Sequence, residues 1–200
     1  MARSNSAPAY APDEVLEFTR VFDAPPELVW RMWREPEHMV RWHGPEGLWL
    51  SHCDIDFRVG GEWRRCMSGA ANYTHWISGT YLEIDEPRRL SFTYSNDYDQ
   101  HETVVTLDFA ERDGKTEMRF HQAPFSSVKE RDGHGWGWSS GLDLLAAYLL
   151  KVKAADGRAV GQPRIDGVAE DLIAARIRNE RQEGRRADLP KIVERLTGRE

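Results

Sequence analysis

From residue 48 to 122 the chain alternates apolar and polar side chains almost without pause, broken by three short turn-forming runs: Val59-Gly60-Gly61, Asp85-Glu86-Pro87-Arg88 and Glu111-Arg112-Asp113-Gly114. Alternation sends successive side chains to opposite faces of a sheet, and turns this short join neighbours antiparallel. The pattern predicts six strands, 49–57, 62–67, 76–84, 89–96, 102–110 and 115–122, paired as consecutive hairpins. A seventh, 15–22, precedes them. Between the first strand and the meander, Pro25-Pro26 opens a short helix over 25–33 and Glu35-Pro36 restarts a second through Met39 and Trp42. After the meander, Trp138, Leu142, Leu145, Ala146 and Leu149 recur at helical spacing, one apolar stripe on a helix over 135–151. A curved seven-stranded sheet has a concave face to cover, and that helix is the long element left to cover it. The fold class is therefore α+β.

Eight Trp residues among 200 supply large rings that require either a big core or a ligand. The net charge of −6 excludes a generally basic nucleic-acid footprint, and no apolar run approaches a membrane span. Residues 1–12 contain no apolar stretch that would serve as a signal-peptide core, so the chain is expected in the cytoplasm. The charge is uneven: residues 153–200 carry 11 basic and 9 acidic side chains, net +2, against −8 for the first 152. This gives a leader over 1–13, a domain over 14–152 and an arginine-rich tail over 153–200. In the tail, Val168, Leu172, Ala175 and Ile177 mark one narrow apolar helix, and Leu189, Ile192, Val193 and Leu196 another. Stripes this narrow require a partner surface, either their own sheet or a second copy, which makes a homodimer contact the favoured expectation. The series Arg176, Arg178, Arg181, Arg185 and Arg186 is interleaved with Asp171, Glu180 and Glu183 and reads as a solvated face with internal pairs.

Five segments together resemble a known family: Phe22-Asp23-Ala24-Pro25 with Val29-Trp30; Arg41-Trp42 with Gly44-Pro45; Asp56-Phe57-Arg58-Val59-Gly60-Gly61-Glu62-Trp63-Arg64; Gly79-Thr80-Tyr81-Leu82-Glu83 with Pro87-Arg88-Arg89-Leu90; and Gly137-Trp138 with Leu142 and Leu145-Ala146-Ala147-Tyr148-Leu149. In this order they are similar to homologues of the activator of heat-shock-protein ATPase, within the START-like (SRPBCC, birch-pollen-allergen-like) helix-grip superfamily. The resemblance implies a mostly apolar cavity between sheet and helix that holds a small hydrophobic ligand, aromatic or acidic. It carries two further implications: a polyketide cyclase-, aromatase- or hydrolase-like enzyme using the same cavity, and a co-chaperone-like protein-interaction domain. The co-chaperone that names the family has an additional N-terminal domain, whereas here a short leader precedes the first strand.

With the apolar stripes facing inward, the expected ligand-lining residues are Phe57, Trp63, Arg65, Met67, Tyr81, Phe92, Tyr94, Leu107, Phe109, Met118 and Phe120, with Ile55, Leu90 and Val105 beside them. Trp138, Leu142 and Leu145 form the roof. Arg65 stands out because alternation puts it on the face of Trp63 and Met67, where an unpaired guanidinium is costly. It calls for a ligand carboxylate or phenolate, an internal partner such as Glu83, or a position at the rim that reaches water. In the enzymatic reading, Arg65 or a pocket histidine would work with Tyr81 or Tyr94.

His52, Asp54 and Asp56 share one strand face, but it is the face opposite the core stripe, so no metal is expected; no cofactor motif occurs either. His38 and His43 read as exposed loop histidines, and His121 as facing out. His75, His101 and His134 show no metal spacing, though any that lined the pocket would be a candidate base. If Phe57 pairs with Trp63 across a three-residue loop, Cys53 faces Met67 and Cys66 points to the other side, leaving two free thiols.

Overall fold

A computed structural model of the chain describes residues 10–98 and 101–156. The two tail helices, the arginine series and any dimer contact through them lie outside the described residues, as does the leader before Tyr10. Seven strands, β1 (Leu16–Phe22), β2 (Trp49–Ile55), β3 (Glu62–Ser68), β4 (Thr74–Asp85), β5 (Arg89–Asn96), β6 (Glu102–Arg112) and β7 (Lys115–Ala123), form one antiparallel sheet in the order β1-β7-β6-β5-β4-β3-β2. Strands β2 to β7 are a pure meander. β1 pairs with β7 (Leu16↔Gln122 to Phe22↔Thr116), so the first two strands sit at opposite edges. The chain between them must cross the whole width of the sheet.

It crosses with α1 (Pro26–Arg34) and α2 (Pro36–Met39). α1 begins at Pro26, where the missing N–H is no loss, and ends at Glu35, because Pro36 cannot continue the ladder. Its Leu28, Val29, Trp30, Met32 and Trp33 are buried against the concave face of the sheet. The long helix α3 (Val128–Asp156) grips the same face. It starts two turns earlier than the apolar stripe indicates and continues past the expected domain end at 152. The early start is explained by Ser127-Val128-Lys129-Glu130: Ser127 Oγ accepts the Glu130 N–H at 3.2 Å, and Glu130 Oε2 accepts from Ser126 N and Oγ at 2.9 and 2.6 Å. These bonds satisfy the helix terminus and outweigh the poor helix propensity of Gly133, Gly135 and Gly137.

Two expectations about the first hairpin are corrected: that Trp49, Ser51, Cys53, Ile55 and Phe57 alternate onto one inward face, and that Phe57 pairs with Trp63. Ser51 is bypassed in the pairing, which steps from Leu50↔Met67 to His52↔Cys66. This bulge reverses the phase of β2: Leu50, Cys53 and Ile55 face inward, Trp49 is 42% exposed, and Ser51 is exposed as well. The connecting turn is also longer than three residues, so Trp63 pairs with Ile55, not with Phe57. Cys53 therefore lies opposite Arg65, and Cys66 lies opposite His52. Both cysteines are free. The third hairpin follows its sequence closely: Asp113 and Gly114 have φ of 53° and 75°, the left-handed pair of a type I′ turn, and Arg112 pairs with Lys115.

Candidate ligand site between sheet and helix

Tryptophan fills most of the concavity. Trp30, Trp33, Trp42 and Trp63 are at most 1% exposed and Trp138 is 7% exposed. Trp33 meets Trp42 at 4.7 Å and Trp138 at 6.0 Å between ring centroids, and Trp63 meets Phe92 and Tyr94 at 5.7 Å. Of the expected lining residues, Leu107, Met118, Phe120, Phe92, Phe109, Leu142 and Leu145 belong to this packed core. Phe57 is partly buried against Trp30 and Tyr81. What remains open is a cleft of about 40 Å³ at one end of the grip, bordered by Met67, Tyr94 and Trp138 together with Trp42, His43, Gly44, Pro45, His75, Asn96, Tyr98, His134, Gly137 and Gly141. Helix α3 offers no Cβ at Gly137 and Gly141. On the other side Gly44, with φ of +119°, turns the chain inward where another residue would be strained.

His38 and His43 are buried, 2% and 6% exposed, where the sequence pointed to exposed loops. The reason is the crossing connection, which packs inward along its whole length. His38 is held by Tyr148 Oη at 2.8 Å from Nδ1 and by Glu35 at 3.2 Å; burial pushes its pKa down against the Glu35 charge. His43 is different. Neither ring nitrogen has a protein partner, and burial, aided by the nearby Arg65 charge, holds its pKa well below the usual imidazole range. It is a neutral ring at the wall of the cleft.

Arg65 lies one pleat deeper than Met67 on β3 and is 1% exposed. Its guanidinium carbon sits 4.3 Å from the centroid of the Trp63 ring, a cation–π contact worth about 2 kcal/mol when desolvated. Nε and Nη1 have no protein partner, and among the described residues no carboxylate pairs with Arg65. Glu83, the expected internal partner, instead accepts from Arg89 Nε at 3.0 Å on the outer surface, because the bulge between Tyr81 and Glu83 turns it outward. The internal ion pair is thus absent, and so is the rim position. Tyr81 Oη is likewise buried, with the Arg65 guanidinium as its polar neighbour; burial raises the pKa of Tyr81 and of the Cys53 thiol, and the charge and hydrogen bonding of Arg65 oppose both shifts.

The other polar cluster under α3 is fully satisfied. Gln122, 0% exposed, donates from Nε2 to Thr103 Oγ1 at 2.8 Å and to His134 Nδ1 at 3.2 Å, and accepts from Trp138 Nε1 at 2.8 Å. Burial pushes the pKa of His134 down to about 4. His121 faces out beside Glu17, and His52 bonds Asp54 at 2.7 Å on the outer face. Among the described residues no three His, Cys, Asp or Glu side chains converge on a common point.

The family described as Activator of Hsp90 ATPase homolog 1-like protein matches residues 23–150, a span running from the end of β1 to the last turns of α3. This chain belongs to that family. Among solved structures, a Chromobacterium violaceum protein is 27% identical with a TM-score of 0.64, covering 68% of this chain and 97% of its own. An AHSA1 protein from Silicibacter pomeroyi is 26% identical with a TM-score of 0.61 over 68% of this chain and 97% of its own. A solution structure from Arthrobacter aurescens, 20% identical with a TM-score of 0.64 and covering 74% and 92%, shares the fold. No curated protein matches the chain. No described helix is long and apolar enough to cross a membrane.

Proposed function

We propose that this domain binds a small, largely apolar molecule, aromatic or acidic, between the sheet and α3. The observation that carries the reading is the cleft itself. It lies where sheet, helix and the crossing connection meet, has aromatic walls, is cut back by Gly44, Gly137 and Gly141, and contains a buried histidine with two unused nitrogens. About 40 Å³ holds a water or two, far less than the roughly 300 Å³ of a small-ligand pocket. Uptake therefore requires the cleft to widen, and the connection after His43 is held to α3 there by the Glu46 N–H to Ser140 Oγ bond of 2.8 Å.

The experiment is native mass spectrometry of the purified chain, followed by thermal-shift measurements with aromatic acids, fatty acids and phenols. A specifically bound compound is expected to raise the melting temperature in proportion to its occupancy. Met67→Trp, which places an indole in the cleft, is expected to abolish that shift while the variant remains folded. A shift that survives Met67→Trp would put the ligand elsewhere.

A further inference from the structure

We infer that the molecule taken up by the grip is an anion and that Arg65 seats its carboxylate or phenolate; this rests on the ligand-binding reading above. The argument is one of unmatched donors. Arg65 is 1% exposed and has Nε and Nη1 unbonded to protein. The Trp63 face beneath it offsets part of the cost of burial without supplying any acceptor. Tyr81, on the adjacent strand, adds a buried hydroxyl whose one polar neighbour is the Arg65 guanidinium, and His43 adds an imidazole with both nitrogens free. These groups come from β3, β4 and the crossing connection, and together they hold more N–H and O–H than acceptors, the acceptors being one nitrogen of the neutral His43 ring and the Tyr81 oxygen.

A carboxylate is the complementary group, since it only accepts and its two oxygens match the guanidinium fork. A neutral amide of the same shape would turn an NH₂ toward donors. The cleft lies next to this cluster: Met67 borders the cleft and shares its face of β3 with Arg65, about 7 Å along the strand. His43 borders the cleft and feels the Arg65 charge. A ligand with an aromatic body among Trp42, Tyr94 and Trp138 would thus direct its acid group past Met67 and His43 onto Arg65.

The test uses the full chain and two matched pairs, 2-naphthoate with 2-naphthamide and phenylacetate with phenylacetamide, titrated calorimetrically into wild type, Arg65→Met and Arg65→Lys. Each acid is expected to bind at least about tenfold tighter than its amide. Arg65→Met should erase that preference and leave amide binding unchanged, while Arg65→Lys, which keeps the charge but not the fork, should retain part of it. The melting temperature of ligand-free Arg65→Met should equal or exceed that of wild type, because an uncompensated buried charge has been removed. Equal binding of acid and amide, or a preference that survives Arg65→Met, overturns the anion inference and leaves the ligand-binding reading standing. So does binding of the amides alone. If none of the four binds at millimolar concentration, both readings fall. A large drop in melting temperature for Arg65→Met would make the guanidinium a structural member of the core and also overturn the inference.

Discussion

Two polar clusters lie beneath the same helix, and they are built on opposite plans. Around Gln122, on β7, donors and acceptors are used up: Thr103, His134 and Trp138 all bond to one amide. Around Arg65, on β3, the guanidinium, His43 and Tyr81 are equally buried but under-used: Nε and Nη1 of Arg65 and both His43 nitrogens have no hydrogen-bond partner, and Tyr81 has only the guanidinium beside it. A satisfied network in a low-dielectric core fixes the geometry of what it touches, here the seating of α3 on the sheet. An unsatisfied one costs stability, and its persistence is explained when another molecule completes it.

The contrast breaks first at Gln122. Gln122→Leu keeps the volume but strands the Trp138 N–H and His134 Nδ1, while the Thr103 hydroxyl keeps its bond to the Tyr94 carbonyl, and should cost about 4 kcal/mol in chemical denaturation. A loss below about 1 kcal/mol would mean that the network is dispensable and the two clusters are alike.

Next comes pH. An unfolded chain protonates its imidazole near 6.5, whereas folded His134 resists until about 4. The unfolded state therefore binds more protons in this window, and stability falls as pH drops from 6.5 toward 4, by about 3 kcal/mol from this group. His134→Asn, which retains an acceptor for Gln122, should flatten that part of the urea-midpoint profile. His43 and His38, whose pKa values are also held down by burial, contribute further slope, joined at the acid end by Glu35, whose carboxyl is, despite its burial, held low by Arg34 and Arg31.

The opposite sign is expected at Arg65. Arg65→Met gives up the Trp63 contact but relieves an uncompensated charge, for a net gain of about 1 kcal/mol by urea denaturation without ligand. Exposed pairs should register least: Arg34, which bonds Glu86 at 3.0 Å and Glu35 at 2.8 Å with its side chain 37% exposed, should lose about 0.5 kcal/mol on substitution by Ala, and less at high salt.

Much of the architecture was legible from residues alone. The Asp113-Gly114 turn, the alternation of β4 to β7 and the prolines that start and stop α1 are local signals, and the structure follows them. Other features had signals that were outweighed. Ser127-Val128-Lys129-Glu130 is a readable helix start, masked by the glycines that follow it. For the bulge at Ser51 no local cue stands out, because an extra residue in one strand is defined by its partner strand. The candidate site was the least legible part. Trp63, Arg65 and Met67 share an inward face by simple alternation, but His43 sits in a connection whose sequence resembles a loop, and the sequence does not show which carboxylates reach Arg65.

The sequence by itself determined the strands, their hairpin order, the single long helix and the placement of a guanidinium on the apolar face, because each depends on near neighbours along the chain. Tertiary structure decided the rest. It placed β1 and β2 at opposite edges, so the crossing connection had to pack inward and bury His43 and His38. It turned Glu83 outward through a bulge, and it filled much of the concavity with tryptophan rings, leaving a small cleft bordered by Met67 and His43. Whether a buried charge finds a partner depends on residues distant in sequence, and only the assembled sheet brings those together or keeps them apart.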